Sequence, residues 1–236
     1  MNIENIKLGF STGVLHKTHR TKEALKKMRD LGYDTVELGF VNPARIEEGW
    51  LDELTKEDLE GFKYVSFHTP KHNYGKNEGT YSFFKKVERI DQIRKLGLVV
   101  FHPDMVEDFS VLNEVGFNVA LENMDNRKGS HKQPEDFDGI FSQDNKYKLV
   151  LDVNHIYSND PSMGLAKDFY SKFKDRIAQI HLSGYTGYHD PIFQTKQEEI
   201  IKAIQDFEVP IIIESVLAPE DLEKERQYIL KVISGI

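Results

Sequence analysis

The sequence contains no cysteine. A disulfide framework and a thiolate metal site are therefore excluded, so any metal ion must be bound by histidine, aspartate, glutamate or water. The chain has neither an apolar run of about 18 residues that would span a bilayer nor an N-terminal signal-peptide pattern. We therefore expect a soluble, cytoplasmic protein that has no membrane partner.

Glycine-rich phosphate loops are also missing. Gly9 and Gly13 lie in and just after the first apolar run, but they lack the spacing of a GxGxxG or GKS/T motif, so a dinucleotide site or a P-loop has little support. The chain has 31 basic and 39 acidic residues, and its formal net charge of −8 argues against a broad electrostatic grip on nucleic acid. Acids gathered at a metal site would be neutralised by the ion, so nucleic acid stays among the candidate partners.

Strand-like and helix-like segments alternate along the whole chain. The sequence predicts strands at 7–11, 34–40, 62–68, 97–102, 117–122, 147–152, 177–181 and 210–214. It predicts helices at 21–31, 80–96, 106–115, 135–143, 165–173, 195–207 and 221–233, with a short charged helix within 42–61. Strands that are apolar on both faces and alternate with helices predict an α/β fold, a closed (β/α)8 TIM barrel that forms one domain over residues 1–236.

Ionisable side chains end several of these apolar strands. Burying an acid or an imidazole at the end of a strand is costly unless something compensates it. Because the carboxyl ends of barrel strands meet at one face, we expect these side chains to share a metal site at the C-terminal mouth. The strand-end candidates are Glu122, Asp152, His181, Glu214, His68 and His102, and two loop residues, His155 and His189, extend the set. One divalent ion takes about four to six ligands, so this set predicts more than one ion.

The motifs around these residues resemble those of the xylose isomerase-like barrels, a superfamily of sugar isomerases, epimerases and endonuclease IV type apurinic-site nucleases. The motifs are Val65-Ser-Phe-His68-Thr-Pro, Val99-Val-Phe-His102-Pro-Asp, Leu121-Glu122-Asn123, Asp152-Val-Asn-His155, Ile180-His181-Leu-Ser and Ile213-Glu214-Ser.

The nuclease pattern within this resemblance implies three ions. One ion is bound by His68 and His102, and Glu122 bridges it to a second. The resemblance gives that second ion Asp152, His181 and Glu214 as its other ligands, and it assigns a third ion to His155 and His189. It also implies an aspartate two positions before His189, where this sequence has Gly187. The third ion therefore lacks its carboxylate unless Asp190 or a water replaces it, and we expect one to three ions of zinc, manganese or iron per chain.

Two chemistries fit such a site. In the first, metal-activated water hydrolyses a phosphoester of a small or nucleic-acid substrate. In the second, one ion and a carboxylate base, Glu122 or Glu214, isomerise or epimerise a sugar or sugar phosphate. His68, His102 and His189 are required by the first chemistry and surplus to the second, which favours hydrolysis. A non-catalytic metal-binding barrel is a third hypothesis, and the near-complete ligand set disfavours it.

The remaining predictions concern residues that contact the substrate and residues that have alternative roles. We expect Glu37, Tyr74, Arg127 and Asp190 to contact substrate, with Arg45, Lys71 and Lys76 as further candidates for binding phosphate. Glu37 has two other interpretations of equal weight, as a partner of a metal ligand or as a buried acid paired with lysine. Asp152 and Glu214 have the alternative role of helix N-caps. The sequence leaves the oligomeric state open.

Overall fold

The structure is a computed structural model that describes residues 5–143 and 146–235. Eight parallel strands close into one barrel, and each pairs with its neighbours in chain order. Nearly all strand residues are buried, as the apolar runs predict, and the predicted TIM-barrel fold is confirmed. The strands are β1 Leu8–Ser11, β2 Thr35–Gly39, β3 Tyr64–His68, β4 Val99–Phe101, β5 Val119–Glu122, β6 Lys148–Asp152, β7 Ile177–Leu182 and β8 Ile211–Ile213.

Helices follow the strands around the outside of the barrel. Those of the described ranges are α1 Thr21–Asp30, α2 Ala44–Glu47, α3 Lys56–Leu59, α4 Glu78–Ile93, α5 Asp138–Gln143, α6 Val153–Asn159, α7 Gly164–Phe173, α8 Ile192–Thr195, α9 Glu198–Lys202 and α10 Leu222–Ser234. Short 3-10 turns occupy Thr12–Leu15, Pro103–Met105, Phe109–Asn113 and Pro134–Phe137. Within the described ranges, none of the helices has the length and apolar character needed to cross a membrane.

The structure corrects the predicted helices at 106–115 and 195–207. In the first segment the backbone of residues 105–108 pairs with that of Tyr74, which leaves room only for the 3-10 turn Phe109–Asn113. In the second segment only α9, Glu198–Lys202, is helical, because the preceding α8 ends at Thr195, where Lys196 adopts a left-handed φ of 58°. A third correction concerns His155, which we expected in a loop. It lies instead on α6, which begins directly after β6.

The barrel wall needs a glycine where β1 lies against β2. A β-carbon at Gly9 would lie 1.9 Å from the carbonyl oxygen of Thr35, far inside van der Waals contact. Only glycine therefore fits this position without moving the strand.

The barrel interior has an apolar part and a polar part. Leu98, Val100, Ala120 and Val150 form a small apolar cluster that is separate from the main core between strands and helices. Buried polar side chains of β2, β3 and β7 are hydrogen-bonded to one another inside the same barrel; they are Glu37, Tyr64, Ser66, Gln179 and His181. The polar part lies directly beneath the strand ends that carry the ionisable residues.

Candidate metal centre

The carboxyl ends of the strands bring six ionisable side chains to one place. Three of them end their strands, two follow immediately after a strand, and one lies one residue before the end of β7. Their ligand atoms form overlapping groups, and within each group all atoms lie within 4.8 Å of one another. The groups are His68, His181 and Glu214; His68, His102 and Glu122; and Glu122, Asp152, His181 and Glu214.

The carboxylate of Glu122 lies between two of these groups. Its Oε2 lies 3.1 Å from Nε2 of His68 and 3.0 Å from Nε2 of His102. Its Oε1 lies 2.7 Å from Nδ1 of His181. Burial would raise the pKa of Glu122, but the His181 charge and the three imidazole hydrogen bonds hold it well below its usual value. Each oxygen thus faces a different set of ligands, which is the arrangement of a carboxylate that bridges two ions.

The metal-free site is neutralised by protons. Burial would lower the pKa of His68, but the hydrogen bond and charge of Glu122 and the charges of Glu37 and Glu214 raise it to about 9. Burial raises the pKa of Glu214 to about 7 and that of Asp152 to about 6. Several of these groups therefore carry protons near neutral pH, and a cation that binds here must displace them.

Asp152 has two different tasks for its two oxygens. Its Oδ1 accepts hydrogen bonds from the backbone N–H groups of Asn154, at 2.7 Å, and His155, at 3.0 Å, and so caps the N-terminus of α6. Its Oδ2 is buried and accepts no hydrogen bond within the described residues. Nε2 of His155 lies 3.3 Å from this oxygen, and a bound metal ion would compensate the buried carboxylate further. The capping role and the ligand role of Asp152 are therefore compatible.

His181 is held by an acid beneath it. Its Nδ1 faces Glu122 and lies 3.5 Å from Oε2 of Glu214, while its Nε2 lies 3.1 Å from Oε2 of Glu37. Burial would lower the pKa of His181, but the charges of Glu214, Glu37 and Glu122 raise it well above its usual value. Nδ1 is thus the nitrogen that faces the acids of the site, whereas Nε2 faces Glu37 and the amide nitrogen of Gln179, which lies 2.8 Å away.

Glu37 is itself fixed by neutral donors. Its Oε2 accepts hydrogen bonds from the hydroxyl of Ser66, at 3.0 Å, and the amide of Gln179, at 2.8 Å. The amide oxygen of Gln179 accepts in turn from the hydroxyl of Tyr64 at 2.8 Å. The sequence analysis missed Gln179. Its position two residues before His181 on the same strand, and therefore on the same face, was the available signal.

The histidines of the implied third ion share no carboxylate among the described residues, because His155 lies 3.3 Å from Asp152 and His189 lies 3.9 Å from Glu214. The rings of His155 and His189 are 5.7 Å apart, and no compact ligand group in residues 5–143 and 146–235 contains both. Gly187 contributes no side chain, and Oδ2 of Asp190 already accepts hydrogen bonds from the N–H and hydroxyl of Thr186. Asp190 therefore does not replace the missing aspartate, and the two compact sets that share Glu122 are better formed than the third.

A cavity of about 670 Å³ opens above the ligands. His68, His102, Glu122, His155, His189 and Glu214 form part of its lining. Arg127 also lines the cavity, where its guanidinium is bound to both oxygens of Asp125, at 3.1 and 2.6 Å. Glu37 is fully buried below His181, so its position matches a partner of a metal ligand.

Tyr74 does not line this cavity, and its predicted substrate contact is corrected. The ring is fully buried against aromatic side chains that include Phe84 and Phe101, and the hydroxyl donates to the carbonyl oxygen of Pro70. Asp190 also lies outside the cavity lining, because its carboxylate is used to fix the loop after β7.

No protein-family model and no curated protein matches the sequence. The fold is similar to that of a D-tagatose 3-epimerase-like protein, with a TM-score of 0.68, 18% identity and 97% of each chain covered. Endonuclease IV from Thermus thermophilus has a TM-score of 0.67 and 16% identity, with 97% of this chain and 99% of that chain covered. The IOLI protein with a binding zinc atom has a TM-score of 0.67 and 16% identity, with 98% and 99% covered. The chain thus has the barrel fold of these proteins, and the resemblance to the xylose isomerase-like barrels is confirmed for the fold.

Proposed function

We propose that the protein is a metal-dependent enzyme that uses two divalent ions to hydrolyse a phosphoester. The observation that carries this proposal is the division of the Glu122 carboxylate between two sets of ligands. His68 and His102 would hold one ion with Glu122. The second ion would be held by Glu122 together with Asp152, His181 and Glu214, as the compact groups indicate.

The charges of the site fit cations. The buried acids Glu37, Glu122 and Asp152 and the nearly buried Glu214 form ion pairs only with histidines within the described residues. Such a density of carboxylates without lysine or arginine is costly unless positive charge is supplied. Oδ2 of Asp152, which has an ion pair with His155 but no hydrogen bond within the described residues, points to the same conclusion. The histidine-rich set suits zinc, and the oxygen-rich set suits zinc or manganese.

The residues of the site would have different roles in hydrolysis. Divalent ions supply Lewis acidity, which polarises a phosphoryl oxygen and lowers the pKa of a water in the same site. Glu122 keeps the two sets at a fixed separation, because each of its oxygens belongs to one of them. Glu214 lies at the cavity floor with 13% of its side chain exposed, where its carboxylate would hold the second ion next to the substrate. His102, with 14% of its side chain exposed, is the ligand most open to the cavity in the first set.

A second candidate function is the isomerisation or epimerisation of a sugar. It is favoured by the completeness of the four-residue group of Glu122, Asp152, His181 and Glu214, which would hold one ion without the first set. Glu214, which is partly exposed at the cavity floor, would supply the carboxylate base in this chemistry. In this chemistry His68 and His102 have no necessary role, so the two candidates differ in what these histidines do.

Metal stoichiometry and one variant separate the candidates. We expect elemental analysis to find two ions per chain in the reconstituted wild type and one in His102→Ala. We also expect this variant to lose the hydrolysis of bis-p-nitrophenyl phosphate and of an abasic-site oligonucleotide. His19→Ala, outside the cavity lining, serves as the control. One ion in both proteins, with ketose epimerisation that survives His102→Ala, would overturn the hydrolase in favour of the epimerase. Two bound ions in a protein with neither activity would support the third hypothesis, a non-catalytic metal-binding barrel.

A further inference from the structure

The basic residues that line the cavity are of two kinds. On the loop after β5, Arg127 is bound to Asp125 at 2.6 Å and Lys128 to Asp104 at 2.6 Å, so both charges are already compensated. Two other basic residues line the same cavity, Arg45 on α2 and Lys71 in the loop after β3. Across residues 5–143 and 146–235, neither has a carboxylate within ion-pair distance.

Arg45 is held in place although it lacks an ion pair. Its guanidinium lies 5.3 Å from the centre of the Trp50 ring, and that of Arg20 lies 4.9 Å from the same centre. The side chain is partly buried, and this burial lowers the pKa of Arg45 despite the opposing charge of Glu48. A positioned, partly dehydrated guanidinium without a counter-ion attracts phosphate strongly, because two phosphate oxygens can accept its parallel N–H groups.

Lys71 belongs to the same side of the cavity as Arg45. Its backbone N–H donates to the carbonyl oxygen of Val41 at 3.1 Å, which ties the loop after β3 to the loop after β2. Val41, Asn42 and Pro43, which lead into α2, line the cavity next to it. The two uncompensated charges therefore act on one region of the cavity, away from the compensated pair after β5.

We infer that Arg45 and Lys71 bind a second phosphate group of the substrate, one that is not cleaved. This inference rests on the proposed function, which assigns the reacting phosphoester to the ligands at the cavity floor. A volume of about 670 Å³ is within the range of small-molecule sites, about 300 to 1,000 Å³. The substrate class is then a small phosphoester that carries a further phosphate on the same molecule.

Titration calorimetry on the manganese-loaded protein tests this assignment. The probes are propane-1,3-diol bisphosphate and propyl phosphate, which differ by one phosphate. We expect the wild type to bind the bisphosphate roughly tenfold more tightly or better, since a charge-assisted hydrogen bond contributes about 1.5 to 3 kcal/mol. In R45Q/K71Q this preference should disappear, while the affinity for propyl phosphate should change less than about twofold.

A matched control removes the same charge at the other end of the barrel. Lys27 lies in the last turn of α1 and Lys174 follows α7, so K27Q/K174Q changes the net charge equally at the end away from the mouth. No preference in the wild type, a preference that survives in R45Q/K71Q, or an equal loss in K27Q/K174Q would each overturn the inference. The proposed function is tested separately by hydrolysis. A wild type that binds the bisphosphate as expected but cleaves no phosphoester would refute the function and keep the second-phosphate site.

Discussion

Replacing Glu37 by glutamine tests how the metal site is held. The substitution keeps the shape of the side chain but removes the carboxylate charge that lies 3.1 Å from Nε2 of His181. An acid in this position fixes the ring and makes the other nitrogen a better ligand, and losing it typically costs about 10- to 100-fold in metal affinity. We therefore expect Glu37→Gln to weaken one of two binding steps by about 1.4 to 2.7 kcal/mol.

Competition with a fluorescent chelator measures both binding steps in one titration. The step that involves His181 should weaken more than the other, because among the described residues Glu37 contacts His181 directly and acts on His68 only through its charge. Ser66→Ala is the matched control, since it removes a neutral hydrogen bond to the same Glu37 oxygen and leaves the charge in place. Unchanged affinity in Glu37→Gln, or an equal loss in Ser66→Ala, would refute the reasoning that the charge holds the ligand.

Three further measurements follow from the structure. Burial raises the pKa of Glu214 from 4.5 to about 7 in the folded, metal-free protein. Its contribution to stability is therefore complete below pH 4.5 and is lost as the pH rises through 7. The free energy of unfolding of the wild type relative to Glu214→Gln, measured by denaturant melts, should fall over that range. Gly9→Ala should cost about 3 kcal/mol by urea unfolding, because its β-carbon would meet Thr35, whereas Gly116→Ala, with open space, should cost far less. Chelation should lower the thermal midpoint, since an ion at 1,000 times its Kd contributes about 4 kcal/mol, and an unchanged midpoint would argue against a bound ion.

The strand ends were predictable because their pattern is rare outside functional sites. An apolar, β-branched run that ends on a single acid, such as Val119 to Glu122, combines two signals that seldom coincide by chance. The order of such runs along the chain then fixed where the acids would meet, because parallel barrel strands all end at one face. The same reasoning predicted the barrel itself.

Features that depend on packing across the barrel were not predictable. Gln179 and Glu37 are 142 residues apart, and a neutral amide in an apolar run gives no sign of a charged partner. Tyr74 looked like a surface aromatic because its sequence neighbours are polar, yet the aromatic cluster around Phe84 buries it. α6 was missed because its 7 residues are too few to establish a helical period, and only the Asp152 cap marks its start.

Asp152 would connect a bound cation to the backbone, because it both caps α6 and belongs to the ligand group. The oxygen that caps α6 and the oxygen that faces the site beside His155 belong to one rigid carboxylate. When an ion draws electron density from that group, the hydrogen bonds to the amides of Asn154 and His155 must change with it. Amide exchange at the first turn of this helix would therefore report occupancy of the centre from within the polypeptide, without any substrate or probe.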